Sequence, residues 1–187
     1  MKAVYRSFGA YEEIPVLPLL KKRKLFKYYN RESMAAVLVA DGFLKANPVP
    51  GDTAFFYASA EVENYSVFRD IYDRYLQSGM EEFDAAGYIA MTPPQSQFKM
   101  MRNMVSCFIS IENELRGDNN IIVDSASALL YSAITARTES EVLLGAGFLH
   151  YDGSVESGFA LARPDELLHN PLLGTDAPAI EFFRKCQ

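Results

Sequence analysis

IIVDSASALL, residues 121–130, changes character at its midpoint. Ile121, Ile122 and Val123 form a short apolar, β-branched run that predicts a strand. Asp124 closes it, four small residues (Ser125, Ala126, Ser127, Ala128) follow, and an apolar helix-like run then begins at Leu129. A strand that turns sharply into a helix through small residues can present a nucleophile. The turn exposes one side chain, and the N–H groups of the helix start can hold an oxyanion beside it. Ser127 is therefore a candidate nucleophile, with Asp124, Ser125 and Ala126 as the rest of the elbow. No G-x-S-x-G signature surrounds Ser127, and no neighbouring histidine offers a base, so a small helix-starting residue retained for packing is the favoured reading. Asp124 is expected to cap the helix.

Strands and helices alternate on both sides of this elbow. Residues 2–11 read as a strand broken at Gly9, 53–62 as a buried strand, 140–151 and 157–164 as two more joined by a hairpin-like Asp-Gly-Ser. Helical spacing is found over 23–40, with a stop near Gly42, and over 65–76, with Phe68, Ile71, Tyr72, Tyr75 and Leu76 on one face and Ser66 as cap. A further helix is expected over 97–117, ended by Gly117, and a short one over 127–136. Residues 78–97 read as a polar surface excursion, and about 165–187 as a tail with a closing turn of helix. The alternation predicts a single α/β domain spanning 1–187, with a mostly parallel sheet of about five strands and helices on both faces.

The composition is that of a globular chain: 187 residues, 49% hydrophobic and 22% charged. A net charge of −6 argues against a general nucleic-acid binder. The 13 Phe and 11 Tyr are then expected in the core. Two cysteines, Cys107 and Cys186, offer no disulfide framework, so a reducing, cytoplasmic setting is expected, with Cys107 buried in its helix. No apolar run reaches the length of a membrane span and the N-terminus lacks a signal-peptide core. His150 and His169 complete no metal motif, and LLGAGF lacks the features of a phosphate-binding loop, so no metal or cofactor is implied.

Taken in order, the segments resemble the N-terminal half of a β-ketoacyl synthase, the condensing enzyme of fatty-acid and polyketide synthesis, which has a thiolase-like fold. AVYRSFGAY (3–11) resembles its opening strand, and RKLFKYYNRESMAAVLVADGF its first helix. GDTAFFYASAEV resembles the strand before a glycine-rich loop. MRNMVSCFISIENELRG resembles the helix that precedes the catalytic strand, with Asn103, Ile109, Ile111, Leu115, Arg116 and Gly117 in register. VDSASALLYSAI resembles the elbow around the catalytic cysteine, EVLLGAG a following strand, and DGSVESGFALA the close of this half.

The departures bear on activity. Where the family reads threonine–alanine–cysteine, this chain reads Ser125-Ala126-Ser127, so Ser127 stands at the cysteine position. A hydroxyl has a far higher pKa than a thiol and is a weak nucleophile without a strong base. The two histidines that the family uses come from its C-terminal half, and neither His150 nor His169 lies in a matching context. The helix after the elbow and the segment between LLGAG and DGSVES are both abbreviated. The resemblance thus implies a truncated form without the catalytic cysteine, an accessory or chain-length-factor-like partner of a complete synthase in a fatty-acid, polyketide or pigment pathway. It also implies a homo- or heterodimer through strand 121–123. A serine-dependent acyl hydrolase or transferase using Ser127, and an acyl- or carrier-protein-binding module without chemistry, are the alternatives. The basic run Lys21, Lys22, Arg23 and Lys24 is either a solvated helix start or a docking patch for an acidic partner such as an acyl carrier protein.

Overall fold

The computed structural model describes the chain except residues 61–64, 82, 83, 94, 95, 97, 100, 137, 139 and 187, and the side chains of 65–68. The expected cap Ser66 and face residue Phe68 therefore lie outside the described residues. Five strands form one sheet: β1 (Lys2–Phe8), β2 (Phe55–Ser59), β3 (Asn119–Val123), β4 (Val142–Leu149) and β5 (Val155–Ala162). Their order is β1-β5-β4-β2-β3. Both β3 and β4 pair with β2 in parallel, whereas β5 is antiparallel to its neighbours β4 and β1. Four strands thus run one way and β5 alone runs back, which makes two pairings parallel and two antiparallel: the sheet is a mixed five-stranded one, as expected in strand number and α/β class but less parallel than the alternation predicts. The β4–β5 hairpin turns at Gly153 (φ 89°), and Asp152 Oδ1 accepts from Ser154 N at 2.8 Å.

The helices are α1 (Arg31–Ala46), α2 (Tyr65–Ser78), α3 (Ala85–Met91), α4 (Asn103–Asn113), α5 (Ala126–Ile134) and α6 (Ile180–Arg184). They cover both sheet faces. Phe55, Tyr57, Leu143, Phe159 and Leu161 point into a core shared with α1 and α4. Phe56, Ala58, Leu144, Ala146 and Ala160 point the other way, into a core shared with α5 and α6. A strand buried on both faces needs apolar residues at successive positions, which is why β2 reads FFYAS with every residue buried. Tyr57 and Ser59 keep their hydroxyls satisfied by donating to the buried carboxylate of Glu32, at 2.9 and 3.1 Å.

Several boundaries differ from the periodicity. The segment expected as one helix over 23–40 is a 3-10 helix, Arg23–Tyr28, followed by α1. Asn30 separates them: its extended backbone breaks the helix, and its Oδ1 accepts from Ser33 N at 2.7 Å as the cap of α1. Nor does α1 stop at Gly42. It runs on to Ala46 because Phe43 and Leu44 continue the buried face. The excursion over 78–97 contains α3, capped by Asp84 through Gly87 N at 2.7 Å. Helix α4 ends at Glu114 in the left-handed region (φ 59°), three residues before Gly117. Gly117 serves a different purpose: a Cβ there would lie 2.3 Å from Asp52 O and 2.4 Å from Thr53 O. The loop before β2 can therefore lie against the loop before β3 only if residue 117 has no side chain.

These two glycines make opposite predictions. At Gly42, exposed in mid-helix with open space within 4 Å of where a methyl group would lie, Gly42→Ala should raise stability by about 1 kcal/mol. Gly117→Ala must displace backbone and should cost roughly 2 kcal/mol or more. Urea unfolding of both variants measures the pair; equal shifts of the same sign would overturn the close-approach account.

Candidate functional site

The elbow follows β3 directly. Asp124 N donates to Ser59 O at 3.1 Å, which extends the β2–β3 ladder by one step before the chain turns. Ser125, not Asp124, caps α5: its backbone is extended and its side chain accepts from Ala128 N at 3.1 Å. Ser127 is the second residue of α5 and is partly buried. The expected cap Asp124 instead turns its carboxylate toward the tail, where Oδ1 accepts from Ala179 N at 3.0 Å. Burial raises the Asp124 pKa, while the Ala179 hydrogen bond and the positive charge of Arg102 oppose the rise.

Two more bonds tie the same short stretch to the tail. Ser127 Oγ accepts from Gly174 N at 2.9 Å, and Ala126 N donates to Ala177 O at 2.9 Å. Among the described residues no imidazole, carboxylate or amine is hydrogen-bonded to Ser127. The hydroxyl is thus held as an acceptor by a backbone amide. Two of the N–H groups that could have stabilised an oxyanion, those of Ala126 and Ala128, are already taken. Nucleophilic attack needs a base on the oxygen and free donors beside it; here the tail occupies the Ser127 oxygen and the Ala126 N–H, and Ser125 occupies the Ala128 N–H.

What holds the tail there is α6. Phe182 and Phe183 are buried in the second core, and Phe183 packs on Gly158, where a Cβ would approach it to 2.4 Å. Beyond them Arg184 reaches Glu156 of β5, with Nε to Oε2 at 2.6 Å and a second bond from Nη2 to Oε1. Tyr5 OH donates to the same carboxylate, and His150 Nε2 lies 2.5 Å from its Oε1. Burial pushes the Glu156 pKa up, but the bonds from Arg184, Tyr5 and His150 outweigh it and bring it down to about 2. His150 is therefore part of the tail's anchor, and His169 is exposed on the chain before it.

The basic run lies elsewhere. Lys21, Lys22, Arg23 and Lys24 are all exposed. Glu112, near the end of α4, accepts from Lys21 N at 2.5 Å and Lys22 N at 3.2 Å, so the run sits toward the amino end of β3, away from the elbow. Cys107 is partly buried, short of the full burial expected; Cys186 is also partly buried, and burial raises its thiol pKa. No helix among the described residues is long and apolar enough to cross a membrane, and no group of three His, Cys, Asp or Glu among them could hold a metal ion.

Sequence reasoning finds Asp124 through Ser127 as a unit but misses the tail that binds them and the Glu156–Arg184 pair that anchors it. The available signal is a glutamate inside the apolar strand VESGFALA, which demands a partner once buried. Compared with models of known protein families the chain matches none, and comparison with curated proteins finds no match.

The clamp predicts local release. Ser127→Ala should leave the fold intact, cost about 1 kcal/mol, and speed amide exchange at Gly174 more than at β5. Unchanged exchange at Gly174 would remove the clamp. The anchor predicts acid sensitivity with a defined sign. Glu156 has its folded pKa lowered from 4.5 to about 2, so its contribution is present above pH 4.5 and is lost as pH falls toward 2. Stability measured across that window should fall more steeply in the parent chain than in Glu156→Gln.

Proposed function

We propose that the chain is a non-catalytic β-ketoacyl-synthase-like accessory subunit, which pairs through β3 with a complete condensing enzyme of a fatty-acid, polyketide or pigment pathway. One observation carries the reading: the nucleophile position of the elbow holds a serine whose oxygen is bound by the chain's own tail. The elbow is kept as architecture while its chemistry is blocked.

The sheet edges support the pairing. β1 closes one side of the sheet and exposes Lys2 and Arg6, charges that discourage another strand from adding there. β3 closes the other side with Asn119, Asn120, Ile121, Ile122 and Val123 and carries no charge. Val123 is 58% exposed beside the elbow. An uncharged, β-branched edge is an invitation to strand addition, which a partner strand would satisfy. In the family that this chain resembles, the strand before the elbow pairs across the dimer axis.

The test mixes the chain with a β-ketoacyl synthase that has its cysteine and reads the assembly by native mass spectrometry. A heterodimer is expected, abolished by Val123→Glu and retained by Ser127→Ala. Intact mass after incubation with acyl-thioester probes decides the catalytic question. No adduct is expected on this chain; a stable adduct that disappears in Ser127→Ala would establish a serine acyltransferase or hydrolase instead.

A further inference from the structure

We propose that the cavity between the start of α1 and α2 binds a small metabolite carrying two negative charges, a phosphate monoester or a dicarboxylate. The cavity shares no residue with the elbow or with β3, so the inference stands apart from the pairing proposed above. It holds about 460 Å³, a size that suits a small molecule. Its walls include Arg31 and Met34 of α1, Asp70 and Arg74 of α2, Lys99 from the segment before α4, and Leu149. Leu149 is the last residue of β4, so the cavity lies at the carboxyl end of the parallel strands, the end at which open α/β sheets hold ligands.

Arg31 is the centre of the site. Its Nη2 donates to two backbone carbonyls, Gly9 O and, at 2.9 Å, Glu12 O. These bonds fix the guanidinium to the loop after β1 but give it no countercharge. The Glu12 carboxylate is turned to Gly9 N, at 2.9 Å. Arg31 Nε is buried and has no hydrogen-bond partner among the described residues. A charged group that is half withdrawn from water, with a donor left over, is costly until an anion meets it.

The other cations are also uncompensated. Arg74 has one long contact, Nη1 to Met91 O at 3.5 Å, and Lys99 Nζ makes no hydrogen bond or ion pair among the described residues. Asp70, one turn before Arg74 on α2, is the one carboxylate among the described lining residues, and it forms no ion pair with them. Three cations against one carboxylate leave two positive charges in excess, in a chain whose net charge is −6.

That surplus selects the ligand. Two guanidinium groups and an ammonium around one space match the oxygens of a phosphate or of paired carboxylates, because the planar guanidinium fork can donate two parallel bonds to either. Met34 and Leu149 offer an apolar wall to a short carbon body. A membrane surface is flat and would not enter the cavity.

Titration calorimetry of the whole chain, in a neutral buffer free of phosphate and carboxylate, tests this with glycerol phosphate and succinate as probes and glycerol and sodium chloride as controls. One-to-one binding of at least one anion is expected, with Kd below about 1 mM, and none of the controls. The probe that binds distinguishes a monoester from a dicarboxylate. Arg74→Gln should weaken binding about tenfold and Asp70→Asn should tighten it, both with circular dichroism unchanged because both positions are exposed. Arg31→Lys keeps the charge but loses the fork, so the anion should raise its Tm less than it raises that of the parent chain. Lys22→Gln, in the exposed basic run, should leave binding unchanged. No binding of either anion up to about 10 mM, indifference to Arg74→Gln, or an equal loss in Lys22→Gln would each overturn the proposal.

Discussion

Three hydrogen bonds between residues 124–127 and 174–179 decide what the carboxyl end of this sheet can do. They span 47 residues of sequence at Ser127 and Gly174, so they exist only because something else brings the tail back. Each is worth about 1 kcal/mol net, too little by itself to order the stretch 168–179. The ordering is offset by α6, through two buried phenylalanines and the arginine that meets a buried glutamate. The elbow is thus closed from a distance: the energy lies in the second core and the consequence lies at Ser127.

The same division runs through the rest of the molecule. The central strands β2 and β4 are buried on both faces and tolerate little: Gly145 and Gly147 leave room for Tyr57, and a Cβ at Gly147 would come within 2.4 Å of Glu32. Outward from them, constraint relaxes toward two unlike edges. At β1 the exposed cations keep other strands away. β3 itself carries no charge, and the strand that leads into the elbow lies at that edge of the sheet. On the reading proposed here, a closed elbow beside an edge strand suits assembly rather than chemistry, since an edge strand gains its missing backbone partners when another strand adds.

How much of this was legible depends on whether the signal was local. The β2 run FFYAS and the Asp-Gly-Ser turn could be read because burial on two faces and a left-handed glycine each leave a signature within a few residues. Helix ends were less legible. Gly42 and Gly117 look like terminators, yet one lies inside α1 and the other answers to Asp52 and Thr53, far away in the sequence. Asp124 shows the same limit at the site. Its position predicts a cap, but Ser125 takes that task and frees the carboxylate for Ala179. Local spacing could identify the group at the elbow; only the return of the chain could assign its partner.

That return also gives the serine a reason. A sulfur is a weak hydrogen-bond acceptor, and a thiol at position 127 would hold the Gly174 amide poorly. A hydroxyl accepts well and is, without a base, chemically quiet. On the reading proposed here, serine at the nucleophile position and a tail over the elbow are one change seen twice: the residue loses reactivity and gains the property that fastens the cover. The cover in turn fixes the start of α5 and, through Asp124, the end of β3. An elbow that no longer accepts an acyl group would then still keep in register the edge that its partner must recognise.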